Sequence, residues 1–126
     1  MRYLHTMLRV RNLDQALDFY VNQLGLQEVR RRVDEKNRYT LVFLAGPKDE
    51  TRVEESKRTG RDAPLIELTY NWGVATYEKG TAFGHLAIEV VDVYQACEQI
   101  RARGGKIVRE PGPMKHGGSE IAFIED

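Results

Sequence analysis

Little in this chain could serve as a covalent staple, a membrane anchor or a polyelectrolyte. One cysteine, Cys97, stands among 126 residues, so no internal disulfide can form, and such usage fits a reducing compartment. No apolar run is long enough to span a bilayer, and the opening MRYLHTMLRV lacks the apolar core of a signal peptide. A cytoplasmic location is therefore expected. Charge of one sign is missing too: 19 Lys and Arg stand against 19 Asp and Glu, which leaves no bulk field for nucleic acid or a membrane surface. What remains, 41% hydrophobic and 30% charged residues, suits one globular domain with its own core.

What is present is a concealed duplication. The stretch LHTMLRVRNLDQALDFYVNQLGLQEV from Leu4 matches GHLAIEVVDVYQACEQIRARGGKIV from Gly84 at an ungapped offset of eighty. His5 falls on His85, Val10 on Val90, Asn12 on Asp92, Gln15 and Ala16 on Gln95 and Ala96, and Gly25 on Gly105. Each copy predicts a short strand, over 3–10 or 84–91, because apolar and polar side chains alternate. Asn12 and Asp92 then supply the short side-chain oxygens that cap helix N-termini. The helices bury Leu13, Ala16, Leu17, Tyr20 and Leu24 in the first copy, and Val93, Ala96, Cys97 and Ile100 in the second, at the three-and-four spacing of one apolar face. Gly25 and Gly105 are expected to end them as left-handed caps.

New strands follow, LQEVRRRV and KIVRE. The first copy adds YTLVFLA (39–45) and LIELTY (65–70), separated by a charged stretch over 46–64 that reads as an exposed loop. The second copy passes through the Gly- and Pro-rich EPGPMKHGG to SEIAFIED, the counterpart of YTLVFLA. The reading is an α+β fold of tandem βαβββ modules, 1–80 and 81–126 within one domain. The counterpart of LIELTYN is missing from the second module, and the natural protein is expected to continue into it.

Two histidines at matching strand positions, His5 and His85, and a carboxylate inside an apolar strand, Glu67, are the residues with chemical promise. A buried carboxylate needs a partner, and two imidazoles with a carboxylate begin a divalent-metal site. The plainer readings also stand: a strand histidine is often only hydrogen-bonded, and a strand glutamate often faces solvent. His116, in a polar loop, is expected to be exposed.

LHTMLRV, LIELTYNWG and FGHLAIEV together resemble the glyoxalase I (lactoylglutathione lyase) family in its short bacterial form, within the vicinal oxygen chelate superfamily. The resemblance runs from Met1 to Asp126, apart from the charged insertion between Gly46 and Pro64. It implies that His5, Glu67 and His85 are metal ligands. A fourth ligand, a glutamate, belongs to a final strand of the type PDGYKIELIE that would follow AFIED. It also implies isomerisation of the methylglyoxal–glutathione hemithioacetal to S-D-lactoylglutathione, with Glu67 as one carboxylate of the acid/base pair.

For the glutathione moiety, the resemblance places Arg9 and Asn71 at the γ-glutamyl end, and Lys115 and Arg109 near the glycyl carboxylate; a solvated surface charge remains the plainer reading of Lys115 and Arg109. Trp72 and Met114 line the apolar pocket or simply pack. A homodimer is implied, each site taking His5 and Glu67 from one subunit and His85 from the other. The resemblance also bears on the metal: zinc-type relatives carry insertions and the nickel- or cobalt-activated type does not. Although this chain has an insertion before LIELTYNWG, its short stretch from Gly73 to Phe83 resembles the nickel or cobalt type rather than the zinc type. Beside the lyase stand a non-catalytic small-molecule binding protein of the same fold, an inactive shortened form, and a metal-dependent transferase or dioxygenase, the last disfavoured by Arg9 and ELTYNWG.

Overall fold

The structure, a computed structural model, describes residues 3–49, 54, 65–115 and 118–126. Along the chain run β1 (His5–Arg9), α1 (Leu13–Leu17), a π-helical turn (Asp18–Gln23), β2 (Gln27–Asp34), β3 (Tyr39–Ala45), β4 (Leu65–Asn71), α2 (Val93–Ala102), β5 (Lys106–Pro113) and β6 (Glu120–Glu125). The fold is mixed α+β, and the chain divides into two compact units, Met1–Glu78 and Lys79–Asp126.

In the first unit four strands form one sheet in the order β1-β4-β3-β2. β1 runs parallel to β4, while β4, β3 and β2 are successively antiparallel. Residues paired across strands share a face, so one row crosses the sheet through Met7, Glu67, Phe43 and Arg30. The opposite face carries Val42, Leu44 and Leu68, which are all but sealed from solvent. A smaller cluster gathers Val29, Phe43, Ala45 and Leu65, with Leu41 against it. The second unit holds α2 and the antiparallel pair β5–β6.

Both helices start as the sequence predicts. Asn12 accepts from the Gln15 N–H at 3.0 Å, and Asp92 accepts from the Tyr94 and Gln95 N–H groups at 2.8 and 3.0 Å. Each such cap is worth about 1 kcal/mol. Their ends differ. In the first unit Gly25, at φ 82, is the left-handed residue; in the second it is Gly104, at φ 87, rather than the expected Gly105. The Gly105 N–H instead closes the cap on the Ile100 carbonyl at 2.9 Å, as the residue after the left-handed one does.

The cause is the π-helical turn, whose wider bonding (Leu24 N–H to the Phe19 carbonyl, 3.0 Å) takes up one extra residue. The Asp18 carboxylate braces it, accepting from the Asn22 and Gln23 side-chain amides at 2.9 and 3.0 Å. Phe19 is thereby buried beside Tyr20, the two rings edge to face at 4.9 Å.

From that turn onward the repeat is offset by seventy-nine until the next hairpin. β2 begins at Gln27 and β5 at Lys106. Each carries a bulge at the same place, between Glu28 and Arg30 and between Ile107 and Arg109.

Two further expectations are corrected. Residues 84–91 form no strand: β1 draws its ladder from β4, and the described residues of the second unit offer this stretch no such neighbour. β5 continues through Pro111 to Pro113 where a loop is expected, with a second register shift between Arg109 and Gly112 that accommodates residues lacking an N–H donor. Of the charged loop over 47–62 only 47–49 and Glu54 are described, and His116 lies outside the described residues.

Candidate active site

β1 and β4 run in parallel, His5 opposite Leu65, Met7 opposite Glu67 and Arg9 opposite Thr69. Alternation puts His5, Met7 and Arg9 on one face with Glu67, Thr69 and Asn71. On that face His5 Nε2 lies 3.0 Å from Glu67 Oε2, with 39% of the histidine side chain but only 12% of the glutamate side chain exposed. A carboxylate so covered needs partners, and it has two: Thr69 Oγ1 donates to its other oxygen, Oε1, at 3.2 Å. The His5 ring also meets Phe43 at 80°, centroids 5.9 Å apart.

This donor pair fits a divalent cation. Two ligand atoms on bonds of about 2.1 Å at a right angle stand about 3.0 Å apart, and imidazole with carboxylate suits first-row ions. Among the described residues no group of three or more His, Cys, Asp or Glu side chains is placed to hold one ion. His85 belongs to the second unit, where it is exposed and its ring meets Phe123 at 77° and 6.0 Å.

Arg9 is exposed at the end of β1. Asn71 ends β4, its Nδ2 donating to the Tyr77 hydroxyl at 3.0 Å, so its carbonyl oxygen is the atom left to receive a donor. Arg109 is engaged by its own unit: its guanidinium donates to the Ile121 and Pro113 carbonyls at 3.3 and 3.1 Å and lies over Phe123. Lys115 is exposed.

Trp72 packs, its Nε1 donating to the buried Thr40 hydroxyl at 3.0 Å, while Met114 is exposed. Cys97 is buried and burial pushes its thiol up, which makes it a poor nucleophile. Thr69, Phe43 and Tyr77 are the residues that sequence reading does not single out. Thr69 alone leaves a signal, since it lies two residues from Glu67 on the same strand face.

The sequence profile of the Glyoxalase/Bleomycin resistance protein/Dioxygenase superfamily matches residues 2–126. Lactoylglutathione lyase of Neisseria meningitidis serogroup A is 50% identical over 126 residues, spanning 100% of this chain and 83% of the relative. Glyoxalase I from Zea mays superposes with a TM-score of 0.84 at 41% identity, covering 99% of this chain; the chain spans 41% of the maize chain's length. The trypanothione-dependent glyoxalase I of Leishmania major superposes at 0.74 with 36% identity, over 100% of this chain and 79% of that one.

Proposed function

The chain belongs to the glyoxalase I branch of the Glyoxalase/Bleomycin resistance protein/Dioxygenase superfamily, and from that premise we propose that it converts the hemithioacetal of methylglyoxal and glutathione to S-D-lactoylglutathione. The observation that carries the reading is the pair of His5 Nε2 and Glu67 Oε2, 3.0 Å apart on one face of two parallel strands.

The reaction moves a carbon-bound proton to the neighbouring carbon, so a base must take it and hand it back. Glu67 is one carboxylate of the acid/base pair that does this: a carboxylate covered from bulk water keeps the proton from exchanging. Thr69 fixes one Glu67 oxygen, Oε1, while the other, Oε2, faces His5. His5, Glu67 and His85 hold the divalent ion, nickel or cobalt before zinc, in a homodimer that takes His85 from the second subunit. When bound, that ion stabilises the negative charge that develops on the two substrate oxygens.

Arg9 lies one same-face step beyond the Met7–Glu67 row, about 7 Å along the strand, and receives the γ-glutamyl carboxylate as a planar fork. Asn71, a step further, offers its carbonyl oxygen to the γ-glutamyl ammonium, its NH2 being held by Tyr77. Lys115 meets the glycyl carboxylate in preference to Arg109, whose guanidinium is tied by two bonds to backbone carbonyls of its own unit.

The test follows thioester formation by ultraviolet absorbance with nickel, cobalt or zinc added to metal-free protein, glutathione and trypanothione being compared as thiols. Turnover with nickel or cobalt and glutathione is expected, and Glu67→Gln should lower kcat about 100-fold or more. Binding of glutathione conjugates without turnover under any metal would assign a non-catalytic binding protein instead.

A further inference from the structure

The two candidate histidines are approached in the same way. In the first unit the guanidinium carbon of Arg30 lies 4.0 Å from the centroid of Phe43, whose ring meets His5 at 80° and 5.9 Å. In the second the guanidinium carbon of Arg109 lies 5.9 Å from the centroid of Phe123, whose ring meets His85 at 77° and 6.0 Å. In both, arginine and phenylalanine are cross-strand partners, Arg30 with Phe43 and Arg109 with Phe123, and in both a bulge immediately precedes the arginine. A bulge re-aims the side chain that follows it. The arginines are seventy-nine residues apart and the other two members eighty, so the likeness survives a change of offset.

We infer that Arg30–Phe43–His5 and Arg109–Phe123–His85 are one device built twice, in which the arginine fixes the phenylalanine ring and that ring sets the tilt of the imidazole. Arg30 and Arg109 are thus positioning residues for the two histidines, a role that rests on the metal-site reading above. An imidazole tied at one nitrogen at most, as His5 is to Glu67, keeps latitude about its second side-chain torsion, whose preferences are broad, whereas a ligand must present one nitrogen in a fixed plane. Edge-to-face contact removes that freedom. A guanidinium on the phenylalanine face holds the ring in turn by cation–π attraction, and its planarity suits stacking in a way that lysine's ammonium does not. Arg109 is itself anchored by the Ile121 and Pro113 carbonyls.

The test uses the metal-free 126-residue chain with labelled histidine, read by NMR of the imidazole protons, together with nickel affinity from competition with a chelator. Arg30→Met should shift and broaden the His5 signals while leaving those of His85, and Arg109→Met should do the reverse. Each should weaken nickel binding about tenfold or more. Arg30→Lys should restore little, and adding Arg30→Met to Phe43→Leu should cost nothing further, because both act through one ring. Unchanged His5 signals in both Arg30→Met and Phe43→Leu would overturn the inference, as would equal movement of both histidines in every variant, the mark of general loosening. Should Arg30→Met not fold, Arg109→Met and Phe123→Leu pose the same question in the second unit. A wild-type chain that binds no nickel while the signals follow this pattern sinks the metal reading and leaves the ring-orienting stacks standing.

Discussion

Glu67 divides its two oxygens between His5 and Thr69, and the second of these contacts is the easier to isolate. Thr69→Val keeps the shape and removes one hydrogen bond to a charged group, worth about 1.5–3 kcal/mol. Through a carboxylate that must be held in line, kcat should fall about tenfold or more, with KM little changed; steady-state kinetics that show an unaltered kcat would reduce Thr69 to packing. At this scale the sequence is legible in part. His5 and Glu67 stand out because repeat and alternation mark them. Arg30 does not, since it opens a run of three arginines, Arg30, Arg31 and Arg32. Only the bulge before it decides which of them lies over Phe43, and no local pattern announces a bulge. Arg109, which resemblance associates with substrate, also donates to two backbone carbonyls, a contact that no local pattern announces.

At the scale of elements, strand alternation and cap residues are readable because they depend on local chemistry, and Asn12 and Asp92 cap as their side chains dictate. The helix ends are less so. A left-handed residue costs about 1–2 kcal/mol when it carries a Cβ, so Gly104→Ala should lower stability by about that amount in chemical denaturation. Gly105→Ala, at a residue outside the left-handed region, should cost less than half as much. Equal losses would argue that the cap is not where the φ angles place it. The stretch over 84–91 carries the other lesson of this scale. Its alternation is that of a strand, but a ladder needs a neighbour, and pattern alone does not supply one.

For the whole molecule, the response to acid follows from where its carboxylates sit. Asn22 and Gln23 hold the Asp18 carboxyl below its usual range, the Asn37 backbone N–H and then its side chain do the same for Asp34, and the Lys106 ammonium does so for Glu125. Each pKa is lower in the folded chain than the ordinary values of 3.8 for Asp and 4.5 for Glu. Their stabilisation is therefore complete above those values and drains away as pH falls through the folded ones. Urea midpoints should stay level from about pH 7 to 5 and drop below about pH 4; a midpoint still level at about pH 3 would contradict this. The duplicated plan also shows how the chain absorbs an error of length. One added residue in a strand flips every side chain beyond it to the other face, and between Gly25 and Arg30 it would carry the guanidinium away from Phe43. Placed between Asp18 and Gln23, the same addition is swallowed by one wide turn, and β2 still leaves in phase with β5. The π-helical turn thus works as an expansion joint, marking where this architecture tolerates growth and, by contrast, the few residues after it where it does not.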